Sequence, residues 1–123
     1  WDGKKDAVGR TTLQYVGTDL VRKKEPNFWR DWVVKVVGLF EDEFQYCIIP
    51  DVRFKNEADM IKGMGGEIWR IERPEVGPIN NHISETELND YAADRTLLNA
   101  GTLEDLETLV KLRLDSYLAY QNN

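Results

Sequence analysis

What this chain lacks narrows its identity first. A single cysteine, Cys47, stands among 123 residues, so no internal disulfide can form. Its place in the apolar run Tyr46-Cys47-Ile48-Ile49 predicts a buried core thiol and favours a reducing compartment. No apolar run reaches the roughly 18 residues that a membrane helix needs. The segment Trp1 to Asp6 does not read as a signal peptide, so the expected location is cytoplasmic, with no membrane partner. Positive charge is in deficit as well, with 16 Lys and Arg against 22 Asp and Glu and a formal net charge of -6. Duplex affinity comes largely from Lys and Arg neutralising phosphates, so a nucleic acid polymer is not an expected partner, although a small anion needs only local positive charge. His82 is the one histidine and has no companions at metal-ligand spacing; capping or loop ordering is expected of it rather than zinc binding.

What is present suits a folded α/β domain. Hydrophobic residues make up 41% and charged residues 31% of the chain, which predicts a compact body with aromatic residues in its core. The length predicts one domain over residues 1–123. Leu13, Val16 and Leu20 recur at helical spacing from Thr11 to Arg22, interrupted by the poor helix formers Gly17 and Thr18. Asn27 is placed to cap a helix running through Trp29 to Phe40, whose apolar face leaves room for a homodimer. Tyr46 to Ile49, ended by Pro50-Asp51, predicts a buried parallel strand. A short helix over Asn56 to Lys62 is stopped by Gly63, and a second strand is expected from Glu67 to Ile71. A long loop at about 73–83 has the length of a lid. Ser84 and Glu87 fit a capping box, Arg95 to Leu98 a third strand, and Thr102 the cap of a long final helix. Such alternation implies a three-layer architecture, a mostly parallel sheet with helices on both faces, and such sheets bind ligands at strand carboxyl ends.

Four segments carry candidate chemistry. In Pro50-Asp51-Val52-Arg53-Phe54-Lys55-Asn56-Glu57 an acid and then a base follow the strand. Asp51 can hold Mg²⁺ or accept a proton, and Arg53 can fork onto a phosphate; an ordinary exposed Asp-Arg turn is the plain alternative. In Gly9-Arg10 through Gly17-Thr18-Asp19, with Arg22 one turn on, Arg10 can take a phosphate near a helix start while Gln14, Thr18 and Asp19 can hydrogen-bond a base or sugar. A charged helix face would read the same way. Arg70 and Arg73 alternate at the end of the second strand and could close over phosphates, or simply be solvated. Asn99, Gly101 and Thr102 form a strand exit that could frame a purine ring, or serve only as turn chemistry.

Taken together and in this order, these segments resemble the deoxynucleoside monophosphate kinase family of phage type, a branch of the P-loop kinases, from Gly9 to about Val110. The resemblance implies transfer of the γ-phosphoryl of ATP, with Mg²⁺, onto a deoxynucleoside 5′-monophosphate. Arg10, Gln14, Thr18, Asp19 and Arg22 would lie on the monophosphate side and Asp51 with Arg53 beside the reacting phosphates. Arg70 and Arg73 would be lid-side, Arg73 catalytic, and Asn99, Gly101 and Thr102 near adenine. Such kinases hold ATP phosphates with Gly-x-x-x-x-Gly-Lys-[Ser/Thr] after a first strand. Gly3 through Gly9-Arg10-Thr11 departs from it in glycine spacing and in arginine for lysine, and no apolar strand precedes it. Since the chain also begins at Trp1 rather than methionine, the expectation is that the first strand and phosphate loop lie upstream. Two alternatives stay open: a non-catalytic nucleotide- or partner-binding protein on the same fold, and a related kinase with another small acceptor such as dephospho-coenzyme A.

Overall fold

The computed structural model describes residues 6–77 and 80–122. The expectations placed on Gly3 and its neighbours before Asp6, and on Pro78 in the long loop, lie outside these residues. The chain divides into two compact units, Trp1–Met64 with Pro78–Tyr91, and Gly65–Gly77 with Ala92–Asn123.

In the first unit, Asp6 starts helix α1 (Ala7–Gln14) by accepting the Gly9 amide at 2.7 Å. The helix expected from Thr11 therefore begins a turn earlier, and it does not continue as an α-helix: Tyr15–Arg22 winds as a π-helix. The change falls on Gly17 and Thr18, where α-propensity is weakest. The Gly17 carbonyl there accepts the Trp29 indole N–H at 2.9 Å. Wide turns of this kind recur at functional sites. Helix α2 (Phe28–Phe40) follows, with Asn27 at its N-cap position. Its side chain makes no capping bond; Asn27 Oδ1 instead accepts from Asn56 at 3.0 Å, because that amide competes for the same oxygen.

Two core expectations are corrected. Tyr46 to Ile49 form no strand, and Cys47 is exposed, as is Ile48 at 80%. A parallel strand is stable only with a hydrogen-bonding neighbour, and none among the described residues pairs with this segment. Of the described aromatic residues only Phe54 is buried, since each unit is small and a small body cannot cover many large rings. Trp32 on α2 remains 60% exposed. Phe54 and the fully buried Ala58 form the apolar core of the first unit. Both sit at helix α3 (Lys55–Gly63), Phe54 at its N-cap. Helix α4 (Ile83–Thr86) is a single turn whose cap is His82, in the capping role expected of it, and not Ser84. The imidazole accepts the Ser84 amide at 3.2 Å, and the serine side chain is buried against the same ring nitrogen at 2.8 Å.

In the second unit, strands β1 (Trp69–Glu72) and β2 (Arg95–Leu98) pair in parallel, Trp69 opposite Arg95 and Glu72 opposite Leu98. β1 starts two residues later than expected. Gly65 takes a φ of 84° in the turn that reaches it, a conformation open to glycine at little cost. Thr102 caps helix α5 (Leu103–Gln121), as its sequence predicted, and the cap is completed by a reciprocal box with Asp105. Leu97 is the buried centre of this unit at 1% exposure, and Tyr117 of α5 meets Trp69 edge to face with centroids 6.2 Å apart. The chain is thus mixed α/β with a small parallel sheet. Among the described residues no helix is long and apolar enough to cross a membrane.

Candidate functional site

The first unit contains a cavity of about 400 Å³, within the range of small-molecule sites. Arg10, Gln14 and Thr18 enter it from α1 and the π-helix, and Asp51 and Arg53 from the turn before α3, with Trp29 and Phe54 as aromatic wall. Five positions singled out from the sequence therefore line one cavity. Asp19 and Arg22 do not line it.

Its electrostatics are uneven. Arg53 is gripped on two sides, donating from Nε to Asp51 at 2.7 Å and from Nη1 to Glu85 of α4 at 2.6 Å. The bond to Asp51 above all, then that to Glu85, raises its pKa further above the usual guanidinium value against the opposing effect of burial. Arg30 forks onto its neighbour Asp31. Arg10, half-buried in the cavity wall, has no ion-pair partner among the described residues. Its charge is the one an entering anion would meet uncompensated. The Gln14 amide is doubly paired with that of Asn80, at 3.3 and 3.2 Å, so the described end of the long loop touches a residue of the cavity. Trp29 is oriented by its bond to Gly17 and by an edge-on contact with Phe28 at 4.8 Å.

Arg22 and Asp19 are engaged elsewhere. The Arg22 guanidinium lies 3.5 Å from the Phe54 ring centroid, donates to Glu57 at 3.0 Å, and hydrogen-bonds Asn56. Only 11% of its side chain is exposed. Asp19 faces the His82 Nε2 at 3.6 Å, too long for a hydrogen bond.

Asp51 was singled out as a magnesium ligand. One of its oxygens accepts from Arg53, and its side chain is 75% exposed. Among the described residues no three acidic, histidine or cysteine groups gather to hold a metal. That donor set fits Mg²⁺ of the kind that keeps waters and arrives on substrate phosphates with one carboxylate from the protein, and not a closed protein cage.

Arg70, Arg73, Asn99, Gly101 and Thr102 belong to the second unit. Arg70 lies on β1, and exposed Arg73 follows it. Asn99 is buried and closes its own turn, accepting the Gly101 amide at 3.1 Å and donating to the Thr102 carbonyl at 3.2 Å. A Cβ on Gly101 would fall 2.1 Å from Asp105 Oδ2, so glycine here lets the capping carboxylate reach back to Thr102.

Sequence reasoning passed over Trp29, Phe54, Glu57, Asn80 and Glu85 as site components. For Glu57 a signal existed, an acid three residues beyond a helix start. For Trp29, Asn80 and Glu85 none did, because their roles depend on contacts across the chain.

The sequence profile described as deoxynucleotide monophosphate kinase matches residues 3–110. A protein of Acanthamoeba polyphaga mimivirus, provisionally named a deoxynucleotide monophosphate kinase, is 36% identical over 109 residues, covering 78% of this chain and 55% of that protein. The deoxynucleotide monophosphate kinase of Enterobacteria phage T4 is 33% identical over 107 residues, covering 83% of this chain and 43% of the phage protein. The chain spans about half the length of these relatives. With the profile covering most of its residues, the chain belongs to the deoxynucleotide monophosphate kinase family.

Proposed function

We propose that this chain belongs to an enzyme that transfers the γ-phosphoryl group of ATP to a deoxynucleoside 5′-monophosphate. The observation that carries the reading is the shared cavity, where Arg10, Gln14, Thr18, Asp51 and Arg53 meet from separate segments beside two aromatic rings. Arg10, lacking a carboxylate partner among the described residues, takes the 5′-phosphate. The base lies against Trp29, whose indole is fixed at both edge and N–H, and displaces the Gln14–Asn80 amide pair to form its own hydrogen bonds. Thr18 offers a hydroxyl to base or sugar. Arg53, held in a fixed orientation by two carboxylates, faces the charge that builds on the transferring group, and a preorganised cation costs no reorganisation at that moment.

Mg²⁺ bound to ATP would neutralise phosphate charge, with Asp51 as its carboxylate from this chain. In the second unit, Asn99, Gly101 and Thr102 are the proposed adenine-side residues and Arg70 and Arg73 the proposed lid-side ones. The three-layer sheet expected from the sequence belongs to the same proposal. The test is release of ADP by the full gene product on adding ATP, Mg²⁺ and each deoxynucleoside monophosphate in turn. Acceptor-dependent turnover is expected, and none with any acceptor would retire the reading.

A further inference from the structure

Glu57 has no part in the transfer outlined above, yet it is the most connected carboxylate of the first unit. One of its oxygens accepts two consecutive backbone amides, Arg53 N at 3.0 Å and Phe54 N at 3.1 Å. The other accepts Arg22 at 3.0 Å. Arg22 in turn lies flat on Phe54 and bonds Asn56, and Asn56 reaches back to the Pro26 carbonyl at 2.9 Å. The π-helix, the turn 51–54 and α3 are therefore fastened together through one mostly buried ion pair, whose partners are 11% and 16% exposed. An acid at the third residue of a helix commonly bonds the cap amide alone. The additional bond to the Arg53 amide and the arginine stacked beneath exceed what capping needs.

We infer that Glu57 and Arg22 form a clamp that positions Arg53 for phosphoryl transfer, so that Arg22 acts through the turn and not on the substrate phosphate. The inference rests on the kinase reading. A carboxylate at position 57 fixes the backbone from which the Arg53 side chain springs, while Asp51 and Glu85 fix its tip. Displacing a positioned group by about an ångström can cost about a hundredfold in rate, so the clamp's effect on turnover should far exceed its effect on acceptor affinity.

The decisive experiment is a double-mutant cycle on the full gene product, with Glu57→Gln made alone and in an Arg53→Ala background. Alone, Glu57→Gln should lower kcat about ten- to a hundredfold with KM for the acceptor changed by less than about threefold. Added to Arg53→Ala it should cost less than about a further twofold, because the group it positions is already gone. Equal losses in both backgrounds would overturn the inference and leave Glu57 a general stabiliser. Should Glu57→Gln fail to fold, Arg22→Lys, which keeps the charge but loses the stacked fork, must show the same dependence on Arg53. Absence of turnover in the unaltered protein would sink the kinase reading separately. Hydrogen exchange at the Arg53 and Phe54 amides would then decide the clamp, which demands protection lost in Glu57→Gln; exchange already fast in the unaltered protein would refute it.

Discussion

Two turns of this molecule lead into helices and use similar residues, yet they are wired differently. The turn at 51–57 enters α3 and ties itself to distant chain: Arg53 to Glu85, Glu57 to Arg22, Asn56 to Pro26. The turn at 99–105 enters α5, and its side-chain bonds run between residues two or three apart, Asn99 with Gly101 and Thr102, and Thr102 with Asp105. Local bonding of the second kind is what any well-formed helix start requires. Long-range bonding of the first kind fixes side chains in space at the cost of ordering several segments, which is worthwhile where geometry matters more than folding. The contrast supports the chemistry proposed for the first turn and assigns helix initiation to the second, where adenine contact is the proposed addition.

Substitution at each turn can break that contrast. The largest effect is expected from Arg53→Ala, which should reduce turnover about a thousandfold while leaving the melting temperature nearly unchanged. Arg95→Ala, which removes a half-buried pair with Glu67, should change the rate by less than about twofold, as neither residue lines the cavity. Similar losses for the two arginines would erase the distinction. Next in size, Thr102→Ala should destabilise the protein by about 1 kcal/mol through its lost helix cap, read by denaturant unfolding. An effect on rate alone would mean that the second turn is chemical after all.

The smallest effect concerns acid. Asp105 is held below the usual carboxylate range by the Thr102 amide and hydroxyl, and Glu67 by Arg95 and then the Trp69 indole. A depressed carboxyl contributes stability that is present above its unfolded value, near 4 for both, and lost as pH falls through the lower folded value. Unfolding followed by tryptophan fluorescence should therefore show a modest loss of stability below about pH 4. The part due to the half-buried Glu67–Arg95 pair should shrink modestly with added salt. A pH-independent midpoint over that range would contradict both assignments.

Much of this was legible in the sequence, and the reasons differ by residue. Thr102 announces a capped helix because the chemistry is contained within four residues, and Asp105 completes it. Arg95 to Leu98 was readable as a strand because its partner β1 exists. The identical reasoning failed at Tyr46 to Ile49, since apolar continuity signals suitability for a sheet and says nothing about whether a neighbour is there to pair. Arg10, Gln14, Thr18, Asp51 and Arg53 were found by residue type and order, and they line a common cavity. The resemblance puts Arg22 on the monophosphate side, and spacing cannot reveal that Glu57 and Phe54 engage it as well. His82 rather than Ser84 caps α4, as an imidazole nitrogen can serve where a hydroxyl is usual.

The parallel pairing of β1 with β2 requires a crossover, and here residues 78–91 of that crossover belong to the other unit. Neither unit is consequently a continuous stretch of polypeptide. A nick anywhere from residue 65 to residue 91 would interrupt the covalent path of both at once, and no single cut releases either unit free of the other's residues. Deleting the residues of either unit would likewise sever the chain of the other.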